Sequence, residues 1–77
     1  MKASIGRTVH YVLESGPNAG DHRPAVIVRM WTDNLVNLQV ITDDENDKLD
    51  PTEWRTSVSF DESAKNGTWH WPERDEA

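Results

Sequence analysis

The sequence predicts an all-β domain, folded as a small five-stranded antiparallel barrel or roll of SH3-like type, with an OB-like barrel as the alternative. Three observations support this prediction: short runs rich in β-branched and aromatic residues, turn-forming residues between those runs, and no window with a convincing helical period. The 77 residues form one domain, 1–77, with an acidic loop at 43–53 and an acidic tail at 72–77.

The central hairpin is the clearest predicted element. Residues 24–31 and 35–42 are apolar-rich runs of strand length, and Thr32-Asp33-Asn34 between them is typical of a tight turn. Pro24 fits the first position of its strand, where a missing N–H costs least. Three further strands are predicted at 9–13, 54–60 and 68–71.

Alternation of side chains along each strand predicts which residues face the core. The opposite face of the hairpin mixes apolar residues, such as Ile27 and Trp31, with polar ones, such as Arg29 and Gln39. That mixture is too apolar for a solvent face and too polar for a core, so it predicts contact with a ligand or a second subunit. The predicted core consists of Val9, Tyr11, Leu13, Val26, Val28, Met30, Val36, Leu38, Val40, Val58 and Phe60.

Composition and charge narrow the classes of partner. The formal net charge of −6 disfavours duplex nucleic acid, because neutralisation of phosphates drives that binding. No run approaches the length of a membrane span, and the first residues contain no apolar leader. Cysteine is absent, which suits a reducing compartment and excludes disulfides. A domain this small then gains most from association, so the sequence predicts a homo-oligomer.

Motifs for catalysis and metal binding are not found in the sequence. His10, His22 and His70 lie far apart along the chain and match no zinc-ligand spacing. The acidic loop places carboxylates at alternate positions, as a calcium loop does, but Lys48 occupies the position of the turn glycine and Trp54 that of the bidentate Glu. We therefore interpret the loop as a solvated charge run, and predict no catalytic residue, metal ligand or cofactor.

Two segments have both a structural and a functional interpretation. In Trp69-His70-Trp71 the indoles point to one face and the imidazole to the other. The tryptophans either cover the open end of the barrel or form a stacking platform for a base or another flat ligand. Arg23 is either a solvated loop end or a phosphate contact, a role for which a planar guanidinium is better suited than an ammonium.

Four segments of the chain resemble a family of short phage and prophage proteins: Ile5–Leu13, Arg23–Arg29 with Trp31, Val36–Val40 and Gly67–Glu73. The closing string Thr-Trp-His-Trp-Pro-Glu is the most distinctive part, and the resemblance covers residues 5 to about 74. It implies a phage product that acts in the cytoplasm of the bacterial host, and it carries over no catalytic residues.

This setting predicts a non-catalytic sponge, an oligomer that binds and sequesters a nucleotide-type immune signal of the host. Two alternatives stay open: an inhibitor that binds a host protein, and a small structural component of the virion. The predicted ligand-binding residues supply guanidinium, amide, imidazole and indole groups and are Arg23, Arg29, Trp31, Asn37, Gln39, Trp69, His70 and Trp71.

Overall fold

A computed structural model describes residues 2–72 as five antiparallel strands that curl into a half-barrel. Within residues 2–72 the helical content is a single 3₁₀ turn at Asp44–Asn46, and no helix there is long and apolar enough to cross a membrane. The predicted all-β roll is therefore confirmed. The strands are β1 (Thr8–Val12), β2 (His22–Met30), β3 (Leu35–Ile41), β4 (Thr52–Ser59) and β5 (Trp69–His70). They lie side by side in the sheet in the order β4-β3-β2-β1-β5.

The hairpin of β2 and β3 forms where the sequence predicts it. The hydroxyl oxygen of Thr32 accepts hydrogen bonds from the backbone N–H groups of Asn34 (3.1 Å) and Leu35 (3.0 Å). A threonine hydroxyl that bonds the backbone two or three residues ahead stabilises such a turn locally. The acidic tail predicted at 72–77 lies, after Pro72, outside the described residues.

The predicted core face of β2 is wrong over its first half. Val28 is 40% exposed, whereas Ile27 is fully buried opposite Leu38. A β-bulge between Ile27 and Arg29 then adds one residue to β2, so that Met30 lies opposite Val36 and packs against the core. One extra residue reverses the alternation of side chains, which is why Ile27 and Met30 share a face although they are three positions apart.

A second bulge reverses the faces within β4. Val36 pairs with Val58, but Leu38 pairs with Arg55, so β4 contains one more residue than β3 over this stretch. Ser57 adopts a left-handed conformation with φ of 55°. Val58 is buried as predicted. Arg55 lies on the inner side, although simple alternation from Val58 predicts that it points outward.

The core lies inside the curl and is closed at one end by β5. The predicted inward residues of β1 and β3 are confirmed as buried. Strand β5 pairs with β1 and also meets Phe60, directly after β4, through a single bridge at Trp69. The two ends of the sheet therefore approach one another at Trp69. The fully or nearly buried apolar residues include Val9, Tyr11, Leu13, Ala25, Ile27, Val36, Leu38, Val40, Val58 and Trp69.

Candidate functional site

The predicted ligand-binding residues divide among four places in the fold. We call the side of β2, β3 and β4 that is turned away from the core the outer face. Four of the predicted residues belong to it: Arg29, Trp31, Asn37 and Gln39. Arg23 lies beneath the acidic loop. Trp69 and Trp71 lie at the closed end of the half-barrel, and His70 points to the opposite side of β5.

An arginine–tryptophan pair is the most defined feature of the outer face. The guanidinium carbon of Arg29 lies 4.1 Å from the centre of the Trp31 ring, a distance at which cation and ring attract. Trp31 Nε1 donates a hydrogen bond to Asn37 Oδ1 (2.9 Å). The indole is thereby held over the sheet while it stays 49% exposed. A stacked guanidinium keeps its edge N–H groups available for an anion.

Asn37 holds the outer face together rather than projecting from it. It is only 6% exposed. Its Oδ1 accepts hydrogen bonds from Trp31, from Thr56 Oγ1 (2.9 Å) and from the backbone N–H of Ser57 (2.9 Å). Because Ser57 forms the bulge of β4, one amide oxygen links the bulge to the indole. The sequence predicts Asn37 as a ligand contact, and the structure gives its oxygen a positioning role.

Trp54 is a residue of this face that the sequence interpretation did not include. It lies directly opposite Gln39 and is 54% exposed. Simple alternation from Val58 places Trp54 inside, and the bulge at Ser57 turns it outward. No pattern in the sequence of β4 indicates this, because the bulge depends on the contact of Ser57 with Asn37 of β3. Gln39 pairs with Val26 on one side and with Trp54 on the other, so the three residues form a row across the strands of the outer face.

The outer face has an unusual charge for so acidic a chain. The chain carries 14 acidic residues. Within the five strands, all inside residues 2–72, Glu53 is the single acidic residue. It lies opposite Val40 on the inner side and accepts a hydrogen bond from Arg55 (3.1 Å). On the outer face the strands thus carry the guanidinium of Arg29 and no carboxylate. This arrangement favours an anionic ligand.

The tryptophans of β5 close the half-barrel, which is the structural interpretation given above. Trp69 is 1% exposed, and its Nε1 donates to the carbonyl oxygen of Asn34 (2.9 Å). Its ring packs edge-on against Phe60 and Trp71, with ring centres 5.0 and 5.5 Å apart. A ring buried in this way presents no face on which a base could stack.

Trp71 is partly buried and borders an open cleft at this end of the molecule. The cleft has a volume of ≈ 500 Å³. Its charged lining consists of two carboxylates and one ammonium, from Asp33, Glu62 and Lys2. An excess of carboxylates repels phosphate, so this cleft suits a nucleotide less well than the outer face does.

Arg23 binds a carboxylate of its own chain. Its Nε and Nη2 donate to the two carboxylate oxygens of Asp47, at 2.8 and 2.6 Å. Asn18 Nδ2 (2.7 Å) and the backbone N–H of Asp43 (2.7 Å) donate to the same carboxylate. These hydrogen bonds, of which the one from Arg23 has the largest effect, hold the pKa of Asp47 well below its usual range. The predicted phosphate contact therefore anchors the acidic loop.

The interpretation of the acidic loop as a solvated charge run is wrong at one position. Asp47 has no exposed surface, although its neighbours Asp44 and Glu45 are exposed. The physical reason is the bidentate guanidinium pair, which replaces the hydration that a buried carboxylate loses. Asp47 is thus part of the folded interior and Leu49 packs against the core, whereas residues 43–46, 48 and 50 are exposed.

The three histidines, distant in sequence, are brought together by the sheet. His10 lies opposite His70 in the pairing of β1 with β5. His22 lies opposite Val12 in the pairing of β1 with β2, one diagonal step from His10. The ring centres are 4.6 Å apart for His22 and His70, 5.7 Å for His10 and His70, and 6.1 Å for His10 and His22. Sequence spacing gave no indication of this cluster, because it depends on strand register.

A polar group at the edge of the core contains the chain's single tyrosine. The hydroxyl of Tyr11 donates to Glu14 Oε1 (2.9 Å), and Arg55 Nε donates to the same oxygen (3.1 Å). Burial, followed by the neighbouring carboxylate of Glu14, raises the pKa of Tyr11 to about 12. The neutral phenol is therefore the form that the fold favours.

This arrangement predicts a titration that ultraviolet absorbance can follow at one residue, since the chain has one tyrosine. We expect tyrosinate absorbance to appear with a midpoint near 12 in the folded protein and near about 10 in urea. Stability from this group is complete below about pH 10 and is lost as the pH rises towards 12, because the folded pKa is the higher one. Glu14→Gln should lower the folded midpoint. A native midpoint near 10 with an unchanged circular dichroism spectrum would contradict the expectation.

Comparisons of the chain with protein-family models, with curated proteins and with solved structures find no match.

Proposed function

We propose that the chain is a phage accessory protein that binds a nucleotide-type immune signal of the bacterial host and sequesters it in the host cytoplasm without changing it. The observation that supports this proposal best is the outer face, on which Arg29 and the exposed indoles of Trp31 and Trp54 share a surface without strand carboxylates. The phage setting comes from the sequence resemblance alone.

The groups of the outer face match the parts of a nucleotide. A guanidinium gives paired N–H donors to phosphate oxygens, and Arg29 is already oriented by its stack on Trp31. An exposed indole offers a stacking face worth about 1–3 kcal/mol per base. Gln39, exposed opposite Trp54, adds an amide that can both donate to and accept from a base edge. These are binding groups, and the proposed role needs no reaction.

A second copy of the chain would turn this open surface into an enclosed site. The outer face leaves four large apolar side chains substantially exposed, at 40% for Val28, 49% for Trp31, 47% for Ile41 and 54% for Trp54. Exposed apolar clusters of this kind mark association surfaces. In a two-fold dimer each copy contributes the same patch, so Arg29 and Trp31 of both copies would face one ligand. The proposed functional unit is therefore a homo-oligomer.

The test combines native mass spectrometry with calorimetry. Protein purified from cells with an active defence system should show a subunit multiple and a retained small molecule that heating releases intact. Calorimetry with cyclic di- and trinucleotides and ADP-ribose derivatives should then identify a ligand. We expect Arg29→Ala and Trp31→Ala each to weaken binding at least about 10-fold, from the loss of one phosphate contact or one stacking face.

Trp71→Ala is the matched variant at the closed end of the half-barrel. It removes the same type of side chain from the competing cleft. Unchanged affinity in this variant supports the outer face, whereas loss of binding there transfers the site to the cleft. If the parent protein gives no heat with any nucleotide and sediments near 8.8 kDa, the sponge proposal fails. An inhibitor of a host protein would then be the leading function, with a pull-down from host lysate as its test.

A further inference from the structure

We propose that His10, His22 and His70 form a binding site for a first-row transition metal ion, with Zn²⁺ as the ion of choice. The three histidines offer one ring nitrogen each, and these nitrogens all lie within 4.8 Å of one another. The proposal is independent of the nucleotide function. The cluster is built on β1, β5 and the first residue of β2, whereas Arg29 lies near the opposite end of β2.

The sheet itself gives the cluster its geometry. His10 and His70 face each other across the β1–β5 pair, so both rings project from the same side. His22 reaches that side from the neighbouring strand, opposite Val12. Three adjacent strands thus supply one imidazole each. Ligands on paired strands are held more precisely than ligands on loops, which favours a defined metal geometry.

The chemistry of the ligand set selects the metal. Imidazole nitrogen suits Zn²⁺, Cu²⁺ and Ni²⁺, whereas Ca²⁺ and Mg²⁺ require oxygen ligands. Zinc–nitrogen bonds of about 2.0–2.1 Å in a tetrahedron place the nitrogens about 3.4 Å apart. The widest separation of 4.8 Å therefore has to shrink by rotation of side chains. His22 is exposed and can turn, while His70 is 6% exposed and fixed.

A metal ion here would fasten the shortest strand of the sheet. Strand β5 contains two residues and pairs with β1 through His10–His70 and Tyr11–Trp69. An ion shared by His70 with His10 and His22 cross-links β5 to two further strands. A chain of 77 residues without cysteine lacks the disulfides that small domains often use, and a bound metal supplies the same kind of support. Three protein ligands leave a fourth position for water on the exposed side of His22.

The experiment is calorimetric titration of the full chain, prepared without a polyhistidine tag, with ZnCl₂. We expect one ion per chain, a rise in melting temperature of about 10 °C or more at 100-fold excess over Kd, and at least about 100-fold weaker binding in His22→Gln. His22→Gln is chosen because the side chain is exposed and its loss does not open the core. His10→Gln should weaken binding to the same extent.

The matched control is Glu45→Gln together with Asp44→Asn in the acidic loop, which should leave zinc affinity unchanged. Since the chain has three histidines and no cysteine, coordination at imidazole can be observed directly by ¹⁵N chemical shifts of the ring nitrogens. All three rings should shift on addition of one equivalent of Zn²⁺. Binding that survives His22→Gln, binding that is lost in the loop variant, or shifts at fewer than three rings would each overturn the proposal.

Discussion

Trp69→Ala is expected to destabilise the fold by about 3–5 kcal/mol, the usual cost of removing a buried Trp or Phe side chain. The ring is 1% exposed and packs against Phe60 and Trp71 where the two ends of the sheet meet. The substitution also removes the donor to the Asn34 carbonyl, which leaves that oxygen of the β2–β3 turn without its indole partner. Urea unfolding followed by far-ultraviolet circular dichroism measures the difference.

Trp54→Ala provides the matched comparison, because it makes the same chemical change at a side chain that is 54% exposed. Surface substitutions of this kind change stability by about 0.5 kcal/mol or less. Both variants should be measured at a concentration where they sediment as monomers, so that association does not enter the result. Equal unfolding midpoints for the two variants would show that Trp69 does not close the core.

Asp47→Asn is expected to lower the melting temperature by on the order of 15 °C or more, as breaking a buried ion pair does in a domain of this size. The amide keeps the shape of the carboxyl group but removes its charge and replaces one acceptor oxygen by an NH₂ donor, so Arg23 loses its ion pair and one of its two hydrogen bonds. In either orientation the amide also loses a second bond, from the backbone N–H of Asp43 to Oδ2 or from Asn18 Nδ2 to Oδ1. Differential scanning calorimetry gives the shift.

The same pair should dominate the acid sensitivity of the fold. Because the pKa of Asp47 is lowered in the folded state, its contribution to stability is present above about pH 3.9 and is lost as the pH falls below that value towards the lower folded pKa. The parent protein should therefore lose stability in this acid range more steeply than Asp47→Asn. Some slope will persist, since hydrogen bonds from Ser63 also lower the pKa of Asp61.

Asp44→Asn is the control for the loop. Asp44 is exposed and adopts a left-handed φ of 51°, a conformation that asparagine accepts. Its melting temperature should stay within a few degrees of the parent. A loss in Asp44→Asn as large as that in Asp47→Asn would mean that the charge of the loop as a whole, and not the pair with Arg23, stabilises the fold.

The sequence by itself determined the fold class, the five strand positions to within about two residues and the turn of the central hairpin. These features are local: β-branched and aromatic runs favour strands, and Thr32 can bond the turn backbone from its own side chain. The buried faces of β1 and β3 followed from alternation because neither strand carries an extra residue. The closing role of Trp69 was one of two interpretations that the sequence allowed.

Tertiary structure decided the faces of β2 and β4. Bulges at Val28 and Ser57 reverse the alternation within each strand, which buries Ile27 and exposes Trp54. Whether a strand bulges depends on its partner and on the curl of the sheet, and here Asn37 of β3 accepts the backbone N–H of Ser57. The sequence of one strand alone does not indicate that contact. Half of the outer face therefore could not be assigned from the sequence.

Tertiary structure also decided the roles of the charged and titratable side chains. Arg23 and Asp47 are 24 residues apart and meet because β2 passes beneath the acidic loop. The histidines meet because β1 lies between β2 and β5 and aligns His10 with His70. In both cases the partners come from distant parts of the chain, and spacing along the sequence carries no information on contacts that strand order and register create.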